Sequence, residues 1–205
     1  MSGRGVHHGN LRAELLDQAE RVLRELGIEA LSLRDLARVV GVSHGAPRNH
    51  FIDRAALLDA LAERGFLRLS AAISAAASQP WGDYSDVLRA SARAALGFAV
   101  SDAALLDLMS NAKADEPPEA VKLAAEGLFN TISAVLRTGV QVGGLGEGDI
   151  ERMTLLWSAT VQGVSALVTS RRTTLERGQQ IIDDAINLFL TGSLHSAEME
   201  HPAAT

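Results

Sequence analysis

The chain is expected to be all-α, and three observations carry that expectation. Apolar residues make up 47% of its 205 residues, yet aromatics only 4%. Alanine and leucine abound, which favours helix over sheet. The apolar residues recur every three or four positions over long stretches, the period of amphipathic helices. Short breaks rich in glycine, proline or polar residues separate those stretches.

Leu11 to Leu26 is the first such stretch: Leu11, Leu15, Leu16, Ala19, Val22, Leu23 and Leu26 share one face. Asn10 can cap it, and Gly27 ends it. A short helix follows Ser32, which has Asp35 three residues on as a capping box requires. Leu33, Leu36, Ala37 and Val40 lie on its inner face, and Gly41 closes it. Val42 is read as a buried plug. Ser43 is read as the cap of a second short helix, with Pro47 in its first turn and Phe51 closing it on the core. A long helix is expected from Arg54 to Ser78, then a break at Gln79-Pro80-Trp81-Gly82-Asp83. Further helices are expected from Ser85 to Val100, from the cap Asp102 through Met109, and from Glu119 to Val142. Gly143 to Gly148 is rich in glycine but lacks the spacing of a phosphate loop, so it reads as a plain linker. Asp149 caps a helix to Ser170, and the last helix runs from Thr174 to Leu190.

Composition bounds the function. There is no cysteine, hence no disulfide framework and no thiol nucleophile. The amino terminus lacks the apolar run of a signal peptide, and no stretch approaches 18 uninterrupted apolar residues. A cytoplasmic protein without a membrane partner is expected. The formal net charge is −6. Up to Arg54, eight arginines face seven acids, giving +1; the remaining eleven basic and eighteen acidic residues give −7. The first part is therefore the better candidate for a polyanionic partner. No metal-ligand spacing and no catalytic motif is present among the six histidines and the serines, so neither a metal site, a cofactor nor a catalytic residue is expected. An α-helical enzyme is the weak rival reading.

Helix, glycine turn, helix is the helix-turn-helix plan, whose second helix enters the major groove of DNA. The segment from Ser43 to His50 carries no acid to repel a phosphate. Arg48 and Asn49 are expected to face bases, since arginine suits guanine and asparagine adenine. Arg34, Ser43, His44, His50 and Arg54 are better placed for phosphates, and Gly45 permits close backbone approach. The polar arm before Leu11 adds Arg4, His7 and His8 as further candidates.

The stretch Gly-Val-Ser-His-Gly-Ala-Pro-Arg-Asn-His-Phe, 41–51, resembles the Gly-Val-Ser-x-Gly-x-x-Tyr-x-His-Phe motif of TetR-family transcriptional regulators. The resemblance covers roughly the first 60 residues, from Leu15 to Leu57-Leu58. Arg48 stands where the family usually has tyrosine. A second, partial likeness lies in Trp157 to Gly163, which is similar to a Trp…His-Gly element of one branch, with Gln162 in the place of the histidine.

The resemblance implies a DNA-binding domain, 1–53, and a larger helical domain for ligand binding and dimerisation, 54–192, followed by a flexible tail, 193–205. It implies a repressor released from a palindromic operator by a small molecule. Phe98, Leu105, Met109, Leu128, Phe129, Ile132, Trp157 and Gln162 are the candidate pocket residues; their scarcity of charge points to an apolar effector. The last two helices are apolar on more than one face. Val161, Val164, Leu167, Val168, Ile182, Ile186 and Phe189 are accordingly expected at a homodimer interface. A dimeric regulator that needs no ligand is the alternative.

Overall fold

The computed structural model describes residues 11–112, 117–146 and 148–199, with side chains described up to Thr191. The expected arm with Arg4, His7 and His8 lies outside the described residues, as do the side chains of the 193–205 tail. Among the described residues there are eight α-helices and no strand: α1 (Leu11–Leu26), α2 (Leu33–Val40), α3 (Arg54–Ala77), α4 (Tyr84–Ser101), α5 (Ala103–Asn111), α6 (Glu119–Gln141), α7 (Ile150–Thr169) and α8 (Leu175–Met199). The all-α expectation holds. No described helix is long and apolar enough to cross a membrane, and no described cluster of acids and histidines could hold a metal ion.

One compact unit runs to Gly65 and takes in Asp102–Leu123. Its core is Leu15, Ala19 and Leu23 of α1 against Leu36 and Ala37 of α2, closed by Phe51 and Leu57. The stripe on α1 sets this up, because positions four apart share a helical face. Ser32 caps α2 as expected: its hydroxyl accepts from the Asp35 amide at 3.4 Å. Gly41 ends the helix at φ 81, a left-handed conformation that costs any residue with a Cβ. α5 belongs to this unit and packs on α1. The Arg24 guanidinium donates to Asp102 at 2.6 Å, and Asp102 is only 7% exposed. Asp102 was expected to cap α5 but makes no capping hydrogen bond; a charge-assisted bond to arginine outcompetes a backbone amide for the carboxylate.

The second unit holds Phe66–Ser101 and the chain from Ala124 on. Its centre is α4 packed on α7 and α8. The 143–148 segment is more than a linker. Gly139 and Gly144 seat the ring of Tyr84: a Cβ at Gly139 would lie 2.1 Å from the ring, and one at Gly144 2.8 Å. The phenol donates to the Val135 carbonyl at 3.0 Å, and burial pushes its pKa well above the usual tyrosine value. Leu145 is buried. α8 continues to Met199, beyond the expected end at Leu190. Thr191, Gly192 and Ser193 are weak helix formers, but they do not forbid continuation as a proline would.

Candidate nucleic-acid interface

The segment after Gly41 departs from expectation in its helix type. Its only regular piece is a four-residue 3-10 helix, Ala46–Asn49. Ser43 does not cap it with its side chain; Gly45 occupies the cap position without a side-chain bond, and the Ala46 amide donates to the Ser43 carbonyl instead. The reason is compositional. Pro47 removes one donor, and Gly45, Asn49 and His50 are weak helix formers. Three-residue bonds run from Arg48 to Gly45 and from His50 to Pro47, and the Phe51 amide adds one four-residue bond to the Pro47 carbonyl. Val42, expected as a buried plug, is half-buried. Phe51 is buried as expected and anchors the segment.

Phe51 anchors the end of the segment, and the Asp53 carboxylate caps α3 by accepting from the Ala56 amide at 2.9 Å, while His44, Arg48, Asn49 and His50 are exposed. An open concavity of about 720 Å³ lies beside this segment. Arg34 of α2, then His44, Gly45 and Arg48, then Arg54 at the start of α3, all line it. Five of the eight expected DNA contacts thus share one wall, with Asp53 its one carboxylate. Ser43, Asn49 and His50 are exposed on the same short segment but lie outside that wall.

Arg54 is partly committed within the unit. Its Nε donates to the Leu31 carbonyl at 3.1 Å and an Nη to the Ile28 carbonyl at 2.6 Å. It therefore holds the lead-in to α2 against the start of α3. Arg34 and Arg48 have no hydrogen-bond acceptor among the described residues. Ile52, unanticipated from the sequence, also lines the concavity and is 81% exposed. Its neighbours decide this: with Phe51 turned inward and Asp53 capping α3, Ile52 is left facing water.

The candidate pocket residues are not gathered into one cavity. Leu105 and Met109 are buried in the first unit, where they pack over Gly65. Phe98, Ile132 and Trp157 are buried in the second, and Leu128 and Phe129 half-buried. Gln162 is exposed. The buried stripe of α7 is Met153, Trp157, Val161, Val164 and Val168, and one step from Val161 turns Gln162 about 100° away from it.

Trp157 does line an apolar cavity of about 260 Å³, between α4, α7 and α8, with Val161, Ile182, Ile186 and Phe189. Four residues expected at a dimer interface therefore wall this cavity. Val164 and Val168 are buried, and Leu167 half-buried. The apolar side chains these helices do expose include Leu155, Leu156 and Leu188.

Residues 15–61 match the model of the bacterial regulatory proteins of the tetR family. The chain is 37% identical over 68 residues to the HTH-type transcriptional repressor Rv1474c of Mycobacterium tuberculosis; the match covers 33% of this chain and 36% of that one. The aligned part thus spans about a third of the length of that relative. Over the full length, the fold is similar to a protein of unknown function from Rhodococcus sp. RHA1. That pair is 35% identical, with a TM-score of 0.82 and coverage of 93% of this chain and 99% of the other. The TetR-family transcriptional regulator PfmR of Thermus thermophilus shares the fold at 24% identity, with a TM-score of 0.61 and coverage of 87% and 95%.

Proposed function

Because residues 15–61 match the model of the tetR family of bacterial regulatory proteins, we propose that this chain is a TetR-family, sequence-specific DNA-binding repressor, with the DNA-binding part in 1–53. The observation that carries this reading is the concavity that puts Arg34, His44, Arg48 and Arg54 in one wall. Arg48 and Asn49 read bases; Arg34, Ser43, His44, His50 and Arg54 hold phosphates, and Gly45 lets the backbone come close. The sign, repression, rests on the likeness to Rv1474c.

The chain acts as a homodimer on a palindromic operator. One head reads only a few base pairs, and two heads related by a twofold place half-sites about 34–36 Å apart. The region 54–192 dimerises and binds a small apolar effector that releases the DNA. Such release requires the effector to bind the DNA-free state more tightly. The apolar cavity beside Trp157 supports an apolar effector of modest size. The exposed Leu156 and Leu188 at its rim favour a second reading, a regulator whose large region only dimerises.

The test is selection of duplex DNA from a random pool with the whole chain, followed by gel shifts with random competitor at two salt concentrations. Tight, competitor-resistant binding to a selected palindrome is the expected result. Binding without sequence preference, lost as salt rises, would reduce the reading to phosphate contact alone. No complex at either salt would overturn it.

A further inference from the structure

We infer that Arg12 is a further phosphate-binding residue of the DNA interface, so that the contact surface extends from the 43–54 segment onto the first turn of α1. The inference rests on the DNA-binding reading above and adds a residue outside both the motif and the concavity.

The described arginines of the first unit divide by what their guanidinium groups meet. Arg24 pairs with Asp102, Arg38 with Asp35 at 2.9 Å, and Arg64 with Asp17 at 2.5 Å and Glu20 at 3.0 Å. Arg21 donates to Gln18, and Arg54 to two carbonyls. These cations are neutralised or occupied inside the protein. Arg12, Arg34 and Arg48 are the ones with no hydrogen-bond acceptor among the described residues. Two of those three line the candidate interface. An exposed arginine with no acceptor in the protein leaves its donors to water, and a phosphate can replace that water with two parallel charge-assisted bonds.

Arg12 is also held in place. Its guanidinium carbon lies over the Phe51 ring, 5.4 Å from the centroid. Phe51 is the buried anchor between His50 and Ile52, both exposed, of which Ile52 lines the concavity. Stacking on a ring orients the planar group without using its N–H donors, whereas an ion pair would use them and cancel the charge. The long side chain is thus pinned beside the segment that faces DNA, with its charge intact. Its place in the first turn of a 16-residue helix adds the favourable end of the helix dipole for an anion.

The test uses the whole chain and the DNA selected with it. Dissociation constants are measured from about 50 to 200 mM salt for the wild type, Arg12→Gln and Arg12→Lys, alongside thermal unfolding of each. Arg12→Gln should make the salt slope shallower by about two, about one for each head of the dimer, with equal loss for selected and random DNA. Arg12→Lys should keep the wild-type slope, since the charge remains. A purely structural stacking role would instead lower the melting temperature of both variants and leave both slopes unchanged, which would overturn the inference. A changed base preference in Arg12→Gln would also overturn it, because a phosphate contact carries no sequence information. If the wild type binds no DNA, this inference falls with the reading beneath it; if the wild type binds and only the Arg12 effect is missing, that reading stands.

Discussion

The two concavities of this protein are built in opposite ways. The one in the first unit is open, carries three arginines, and draws its wall from residues between Leu31 and Arg54. The one in the second is apolar, and its wall comes from α4, α7 and α8, from Ala92 to Phe189. In the first, Arg34 and Arg48 have no acceptor among the described residues. In the second, Trp157, Val161, Ile182 and Ile186 are buried and line the cavity. The contrast separates exposed cations, which the fold does not need, from buried apolar side chains, which hold the second unit together whether or not a ligand also meets them. Substitutions should therefore divide cleanly into those that change binding and those that change stability.

The largest expected effect on stability is in the second unit. Gly139→Ala places a methyl 2.1 Å from the Tyr84 ring, so the helix or the ring must shift. A loss of about 1–3 kcal/mol, or more, is expected in urea unfolding. Gly97→Ala, in α4 with nothing within 4 Å, should gain about 0.5–1 kcal/mol from helix propensity. Equal effects at both positions would show that close packing is not the cause.

In the first unit, Arg48→Ala should weaken binding to the selected DNA by about 1–3 kcal/mol and relax its base preference, with the unfolding midpoint unchanged. Unaltered affinity and preference in a gel shift would remove Arg48 from the interface.

Arg24→Ala sharpens the contrast from inside the same unit. Asp102 is buried, but Arg24 is half exposed, so the cost falls between that of a buried and a surface pair, about 1–2 kcal/mol. Denaturant unfolding should register it while base preference stays as in the wild type. A change in preference without a change in stability would break the division between the two kinds of residue.

The smallest effect concerns Tyr84, the one tyrosine of the chain. Burial holds its pKa above the ordinary value, so the folded chain keeps its phenolic proton where the unfolded chain loses it. Its contribution is complete below the unfolded pKa of about 10 and declines above it, by up to about 1.36 kcal/mol per pH unit. Tyr84→Phe should cost about 0.5–1.5 kcal/mol at neutral pH through the lost bond to Val135. It should also abolish the alkaline decline. Tyrosinate absorbance rising at an ordinary pKa in the folded wild type would contradict this.

The DNA-facing segment was legible because its signals are local. The cap at Ser32, the turn at Gly41 and the cluster of Arg48, Asn49 and His50 all lie within twenty residues, so spacing alone places them on one short stretch. Even there, the sequence suggested an α-helix where the chain forms a 3-10 helix, since the effect of Pro47 beside three weak helix formers is a balance of small terms. The candidate pocket residues are mostly apolar residues of separate helices. Nothing in a helical period says which helix meets which, and Leu105 and Met109 fall in a different unit from Trp157.

Periodicity and capping, which act within a few turns, fixed the eight α-helices of the described residues, most of their inner faces and the place of the helix-turn-helix stretch; Leu26, expected on the inner face of α1, is exposed. Only the tertiary structure decided that α5 joins the first unit through Arg24 and Asp102, that Gly139 and Gly144 seat Tyr84, and that Arg12 lies over Phe51. Each of these joins residues 39 to 78 positions apart, and which distant pairs meet is set by how whole faces pack, which no local pattern encodes.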